Sequence, residues 1–350
     1  MVFFNDNWQY INPLGRDCTD INNEFILRQL SSDLSYFNLG EKILLLFSNP
    51  DYEKIADVDN KGFTVIVQNG SDHPGNILNP HLRDVVNSPI IKLSGDFTSE
   101  FYYPFWLLAS RHYGQEDRVD INSAKQYPVT YLCNKSRVSR IYTILNLASR
   151  NYFGEIGVSW GNLFEHVSAN DFISTMINRN HSGRWHEFEN FEAGVEQFLT
   201  LHKKMLPLGL LGNSYIQTFN IDQGMSSYLQ IVSESVPELM DRFVSEKIWK
   251  PIRLGQLFLV QGNPGTVEYL RQLGFDVFDD YIDHSRYDNE PNWQKRTQLM
   301  VSVLDDIYPD IEKIYFETTK RRANNLNRFQ SRSLLDLVMS NVSRQIKNFG

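Results

Sequence analysis

Leu257-Phe258-Leu259-Val260-Gln261-Gly262-Asn263-Pro264-Gly265-Thr266-Val267-Glu268-Tyr269-Leu270-Arg271-Gln272-Leu273-Gly274 joins an unbroken apolar run to a tight turn and then to a helical period. An apolar run without alternation suits a strand covered on both faces, as in a parallel sheet flanked by helices. Gly262-Asn263-Pro264-Gly265 turns the chain, and Thr266–Leu273 reads as a helix closed by Gly274 at its C′ position. Upstream, Tyr228–Val232 reads as a strand, and Ser245 is placed to cap a helix running to Gly255. Pro251 lies inside that helix, lacks an N–H, and is expected to kink or shorten it. Downstream, Phe275–Phe278 reads as a further strand. Strand, helix, strand, glycine-bearing loop, helix and strand make a βαβαβ unit.

Working outward, the first third holds three more unbroken apolar runs, Lys42–Phe47, Phe63–Val67 and Pro89–Leu93, each stopped by polar turn residues. The stretches Asn22–Ser35 and Asn79–Val86 are candidate crossover helices. Composition turns polar around Tyr113–Tyr127, and a second α/β unit opens with Val129–Cys133. Arg137, Ile141, Ile144, Leu145 and Ala148 then recur at helical spacing, predicting a helix over Ser136–Ser149. Near the end, Leu335, Val338, Met339, Val342 and Ile346 share one helical face. The organisation expected is an α/β chain with a first domain over 1–125, a second over 126–330 and an amphipathic helix over 331–350.

The 350 residues carry 34 basic and 42 acidic side chains, a net charge of −8, which disfavours non-specific attraction to nucleic acid or anionic membrane. An apolar share of 41% supplies enough material for packed cores. Two cysteines, Cys18 and Cys133, are too few for a disulfide framework or a cysteine zinc site, and Cys133 reads as a buried strand residue. No apolar run is long enough to span a bilayer, and Met1–Asp6 lacks the features of a signal peptide, so a cytoplasmic protein is expected.

The chemistry-bearing candidates cluster at strand-to-helix junctions. A helix start offers free N–H groups and a positive dipole end to a phosphate. Ser245-Glu246-Lys247 stands at such a start, with an ammonium for a diphosphate and a carboxylate for hydroxyl groups. From spacing alone it reads equally as a solvated first turn. Gly262, Asn263 and Gly265 either let backbone approach a ligand or simply turn the chain. Lys135, Arg137 and Arg140 form a second basic group where ligands of α/β sheets bind, or else a surface patch. His181 and His186 have no companion carboxylate pattern, and Asp279, Asp280 and Asp283 read as loop residues, so no essential metal is expected. There is no G-x-S-x-G elbow.

Val244-Ser245-Glu246-Lys247-Ile248-Trp249-Lys250-Pro251, followed by Leu257–Val260 and Gly262, resembles the donor-binding signature of the inverting α-1,3-fucosyltransferase family and its bacterial and viral relatives. Asn134–Arg140 with Tyr142 and Leu145, Ser233-Glu234-Ser235, and Gly95-Asp96 with Tyr103–Leu108 are similar to other stretches of that family. The resemblance implies two Rossmann-like domains facing each other across a cleft, the GT-B architecture, with the donor held mainly by the second. It implies that Arg140 and Lys247 contact the donor diphosphate, Glu246 the sugar and Glu234 the ribose, with Arg137, Gly262, Asn263 and Gly265 in the same donor site. The family's Thr-Gly-Glu-Asn segment, with its catalytic glutamate, is replaced here by Val67-Gln68-Asn69-Gly70-Ser71-Asp72-His73-Pro74. Asp72 is then the candidate base, with His73 able to substitute.

The function implied is a glycosyltransferase that uses a GDP- or UDP-linked sugar as co-substrate, with no other cofactor and no metal, and an acceptor hydroxyl of a glycan. Two alternatives stand beside it. One is a phage-type enzyme glycosylating hydroxylated bases in DNA, with Lys320, Arg321, Arg322, Arg328 and Arg332 on phosphates, in a host cytoplasm. The other is a non-catalytic nucleotide- or glycan-binding relative.

Overall fold

The computed structural model describes residues 2–5, 43–47, 64–68, 92–94, 107, 110–111, 120–133, 138–160, 225–234, 237 and 243–349. The chain divides into two units, one of 1–108 with 335–350 and one of 109–334. Both contain a parallel sheet, so the fold is α/β.

In the first unit, β1 (Val2–Asn5), β2 (Ile43–Phe47), β3 (Thr64–Gln68) and β4 (Lys92–Ser94) pair in parallel and in chain order. Leu44 lies between Val2 and Val65, and Val67 pairs with Leu93. Each of the three apolar runs expected as strands contains one, the third described only over Lys92–Ser94. β1 was not anticipated, because four residues are too few to show a period.

The second unit is built on β5 (Tyr127–Cys133), β6 (Gly157–Trp160), β7 (Ser227–Ser233) and β8 (Leu257–Gln261). All pairs are parallel, and the order is β6-β5-β7-β8. Every residue of β7 and β8 is buried, which is why their sequences show no polar alternation. Helix α1 (Val138–Ala148) follows β5 and buries Ile141, Ile144, Leu145 and Ala148, the face expected from their spacing. Cys133 is buried in β5, as its neighbours suggested.

Helix α2 (Glu246–Arg253) follows β7. It begins at Ser245, whose side chain accepts from the Lys247 N–H, and it holds Pro251 within its eight residues. It ends at Gly255, whose φ of +59° is left-handed and whose added Cβ would lie 2.8 Å from Ile121. Trp249 buries against Phe275 and Phe329, at ring distances of 6.0 and 6.3 Å. Arg322, fully buried, donates to the carbonyls of Gly255, Tyr315 and Ile121 and lies 3.3 Å from the Tyr315 ring centre.

Helix α3 (Thr266–Gln272) follows β8, and α4 (Trp293–Ile307), α5 (Ile311–Glu317), α6 (Thr319–Gln330) and α7 (Arg332–Phe349) complete the chain. Phe275–Phe278, expected as a strand, is not one. Phe278 has φ of 64°, outside the pleated region, and its N–H donates to Asp276 Oδ1 at 2.9 Å. The Asn325 side chain takes both backbone groups of Asp276, at 2.8 and 2.7 Å, leaving none for a ladder.

Behind this segment, the buried His284 contacts Tyr287 Oη through Nδ1 at 2.6 Å and Val277 O through Nε2 at 2.9 Å. The carbonyl can only accept, so Nε2 carries the proton and Nδ1 receives the Tyr287 hydroxyl. Burial holds this imidazole down at about 4, against an ordinary 6.5. A depressed value gives stability that is complete above pH 6.5 and is lost as pH falls toward 4. We expect a loss of up to about 3 kcal/mol across that window. Unfolding titrations of wild type and His284→Gln will show it as a pH slope present in the first and absent in the second.

Candidate functional site

The strand order places a switch at β5. The chain leaves β5 for β6 on one side and returns to β7 on the other, so the connections from β5 and β7 diverge at their carboxyl ends. Ligands of open α/β sheets bind in that crevice. Helices α1 and α2 both begin there, with Arg140 in the first turn of α1 and Lys247 in the first turn of α2.

Beneath the start of α2 lies Glu234, the residue following β7 and fully buried. Its Oε2 accepts from Ser245 N at 3.0 Å and, more closely, from Ser245 Oγ. Its Oε1 has no hydrogen-bond partner. Ser245 Oγ in turn accepts from Lys247 Nζ at 3.0 Å and Lys247 N at 3.4 Å. Lys247 Nζ also pairs with Glu246 Oε1 at 2.9 Å. Burial would raise the Glu246 carboxyl, but the Lys247 and Lys250 charges outweigh it and hold it at about 2. Burial pushes Glu234 up, against the pull of Lys247 and Ser245, and pushes the Lys250 ammonium down, against Glu246 and Glu234. Two carboxylates and two ammonium groups thus share one helix start.

A buried polar chain joins this cluster to α1. Arg140, itself 4% exposed, offers its carbonyl to Tyr131 Oη at 3.2 Å, and that hydroxyl meets Ser233 Oγ at 2.9 Å. Ser233 bonds to Gln261 Oε1 at 2.7 Å, which also accepts from Thr143 of α1 at 2.8 Å. Gln261 Nε2 reaches Ser139 O and Thr297 Oγ1, so β7, β8, α1 and α4 meet at one amide. Sequence reading gave no role to Gln261 or Ser233. A polar residue ending an apolar strand, and identical in position to a turn residue, was the one available signal.

The glycine-bearing loop serves a different purpose. A Cβ on Gly262 would lie 2.5 Å from Thr266 Oγ1, so this glycine admits the start of α3 against the strand end. Asn263 is buried, and its Oδ1 accepts from Phe243 N at 3.0 Å, bracing the segment that leads into Ser245. Gly265 N donates to Asp288 O at 2.9 Å. The Asp288 carboxylate accepts from Val267 N at 2.8 Å and Glu268 N at 3.0 Å. Those two amides of α3 are therefore taken by the protein's own anion. Arg296 donates to Gly262 O at 2.9 Å and to the carbonyls of Glu290 and Pro237, holding the loop from behind.

Asp72, His73 and Arg137 lie outside the described residues, as do His181 and His186. Of the C-terminal basic cluster, Arg321 is paired with Asp276 and Asp280, Arg322 is buried, and Arg328 donates to Leu273 O and Ser333, while Lys320 is exposed. Three of its five members are thus engaged within the fold. Asp279 likewise pairs with Arg271. Among the described residues no group of three His, Cys, Asp or Glu side chains could hold a metal ion, and no helix is long and apolar enough to cross a membrane. Removing the Asp288 carboxylate should strip α3 of its cap. Asp288→Ala is expected to cost about 1–3 kcal/mol, read as a lower midpoint in chemical unfolding, because two amides lose a charged acceptor.

No protein-family model matches the chain, and no curated protein matches it. The solved structure of the spinosyn rhamnosyltransferase SpnG resembles it with a TM-score of 0.30 and 11% identity, over 93% of this chain and 77% of that one. A likeness at that score carries no argument about fold or activity. The fucosyltransferase resemblance therefore rests on the residues quoted from the sequence.

Proposed function

We propose that this chain is a glycosyltransferase that moves a sugar from a GDP- or UDP-linked donor to an acceptor hydroxyl of a glycan. The observation that carries the reading is the start of α2 at the switch point, where Ser245, Glu246 and Lys247 stand in the order the donor signature requires and are braced from below by Glu234.

In this reading the donor diphosphate lies against the amino end of α2 and beside Lys247, with Arg140 on the side of α1. Glu246 turns to the donor sugar, and Glu234 supports the ribose side of the site. The acceptor oxygen attacks the anomeric carbon as the bond from that carbon to the diphosphate oxygen breaks. The acceptor proton passes to Asp72 or His73. Negative charge grows on the leaving diphosphate, and the two cationic side chains and the helix amides stabilise it where a metal would otherwise be needed. Lys247 reaches the phosphate by giving up part of its bond to Glu246.

Nucleotide-sugar donors offered singly with a panel of glycan acceptors should release nucleoside diphosphate with one matched pair. Lys247→Ala and Arg140→Ala should then lower kcat/KM by about 10²–10³. Unchanged turnover in both variants, with thermal midpoints like wild type, would overturn the reading.

A further inference from the structure

The orientation of Lys247 is decided one layer below it. Ser245 Oγ has a single proton and three polar neighbours, namely Glu234 Oε2, Lys247 N and Lys247 Nζ. The amide and the ammonium can only donate. The hydroxyl proton must therefore point at Glu234, and both oxygen lone pairs must face Lys247. Glu234 Oε2 receives the Ser245 N–H as well, so it is an acceptor twice over.

That assignment bears on the other carboxylate oxygen. Among the described residues Oε1 is buried with no hydrogen-bond partner. Burial pushes this carboxyl up, while the Lys247 charge and the two bonds from Ser245 favour its ionised form. Burying a charge is costly unless it is paired and bonded. A neutral Asn or Gln would meet the Ser245 N–H and hydroxyl equally well. The charge is therefore not needed to cap the helix, and what it adds is a fixed attraction on the ammonium above.

We propose that Glu234 is a positioning residue which, through the Ser245 hydroxyl, fixes the direction in which Lys247 presents its ammonium at the head of α2. Its functional meaning rests on the donor-diphosphate reading, while the positioning itself does not. Glu234→Gln keeps two acceptor bonds to Ser245 and removes the charge. Ser245→Ala keeps the charge and removes the hydroxyl that passes it on.

The positioning is tested without any ligand, in the full chain. Limited acylation with acetic anhydride, followed by peptide mass spectrometry, gives the rate at Lys247 relative to the exposed Lys320. Either substitution should raise that ratio about threefold or more, because an amine no longer held toward Ser245 turns more freely to the reagent. A ratio unchanged in both variants overturns the proposal. If Glu234→Gln does not fold, Ser245→Ala decides alone. The consequence for the site is read by titrating inorganic pyrophosphate and nucleoside diphosphates. Glu234→Gln should weaken binding about tenfold in wild type and leave the residual binding of Lys247→Ala unchanged. Equal weakening in both backgrounds makes Glu234 a scaffold residue and overturns the proposal. Wild type that binds none of these probes sinks the donor reading, while a raised acylation ratio still upholds the positioning.

Discussion

A primary amide has four hydrogen-bonding positions, and Gln261 uses all of them out of contact with water. It donates to Ser139 and Thr297 and accepts from Ser233 and Thr143. The low dielectric that strengthens these bonds also makes the loss of any one expensive, since a stranded donor or acceptor has no water to turn to. The relative placement of β7, β8, α1 and α4 is thus specified by direction as well as by volume. Apolar packing alone would tolerate a helix sliding by a fraction of a turn. The bonds to Gln261 do not.

This constraint explains what could and could not be read from the sequence. Unbroken apolar runs made β2, β3, β5, β7 and β8 legible, and β7 and β8 are buried along their whole length. Local chemistry also survived the passage from sequence to fold. Ser245 caps α2 because its hydroxyl reaches an amide two residues on, and Pro251 sits in a helix of only eight residues. The amide hub was invisible because its partners are far apart in the chain. Gln261 meets Thr143 at a separation of 118 residues and Thr297 at 36. Where an apolar run failed to become a strand, at Phe275–Phe278, a side chain distant in sequence had claimed its backbone groups. The basic run near the carboxyl end misled for a related reason. Charges adjacent in sequence suggest a shared surface, yet Arg321 and Arg322 turn to different partners, one to carboxylates and one into the core.

The two helix starts near the strand ends illustrate how similar geometry is put to different uses. The amides of α3 are covered by Asp288, an internal anion held in place by two backbone bonds. The start of α2 has instead a layered arrangement of opposite charges, Glu234 below and Glu246 beside Lys247. Balanced charge keeps the cluster stable in the absence of a ligand. In the Gly262–Gly265 turn, the missing Cβ of Gly262 lets Thr266 approach the strand end.

Helix α2 is secured at both extremities. Glu234 grips Ser245 at its beginning, and Arg322 grips Gly255 just past its end. A short rod fastened in this manner behaves as a strut: it has no slack through which to bend, and a load applied at Lys247 is delivered to the turn beneath Arg322. The far end of that load path is Tyr315 and Ile121, on segments that take no part in the crevice.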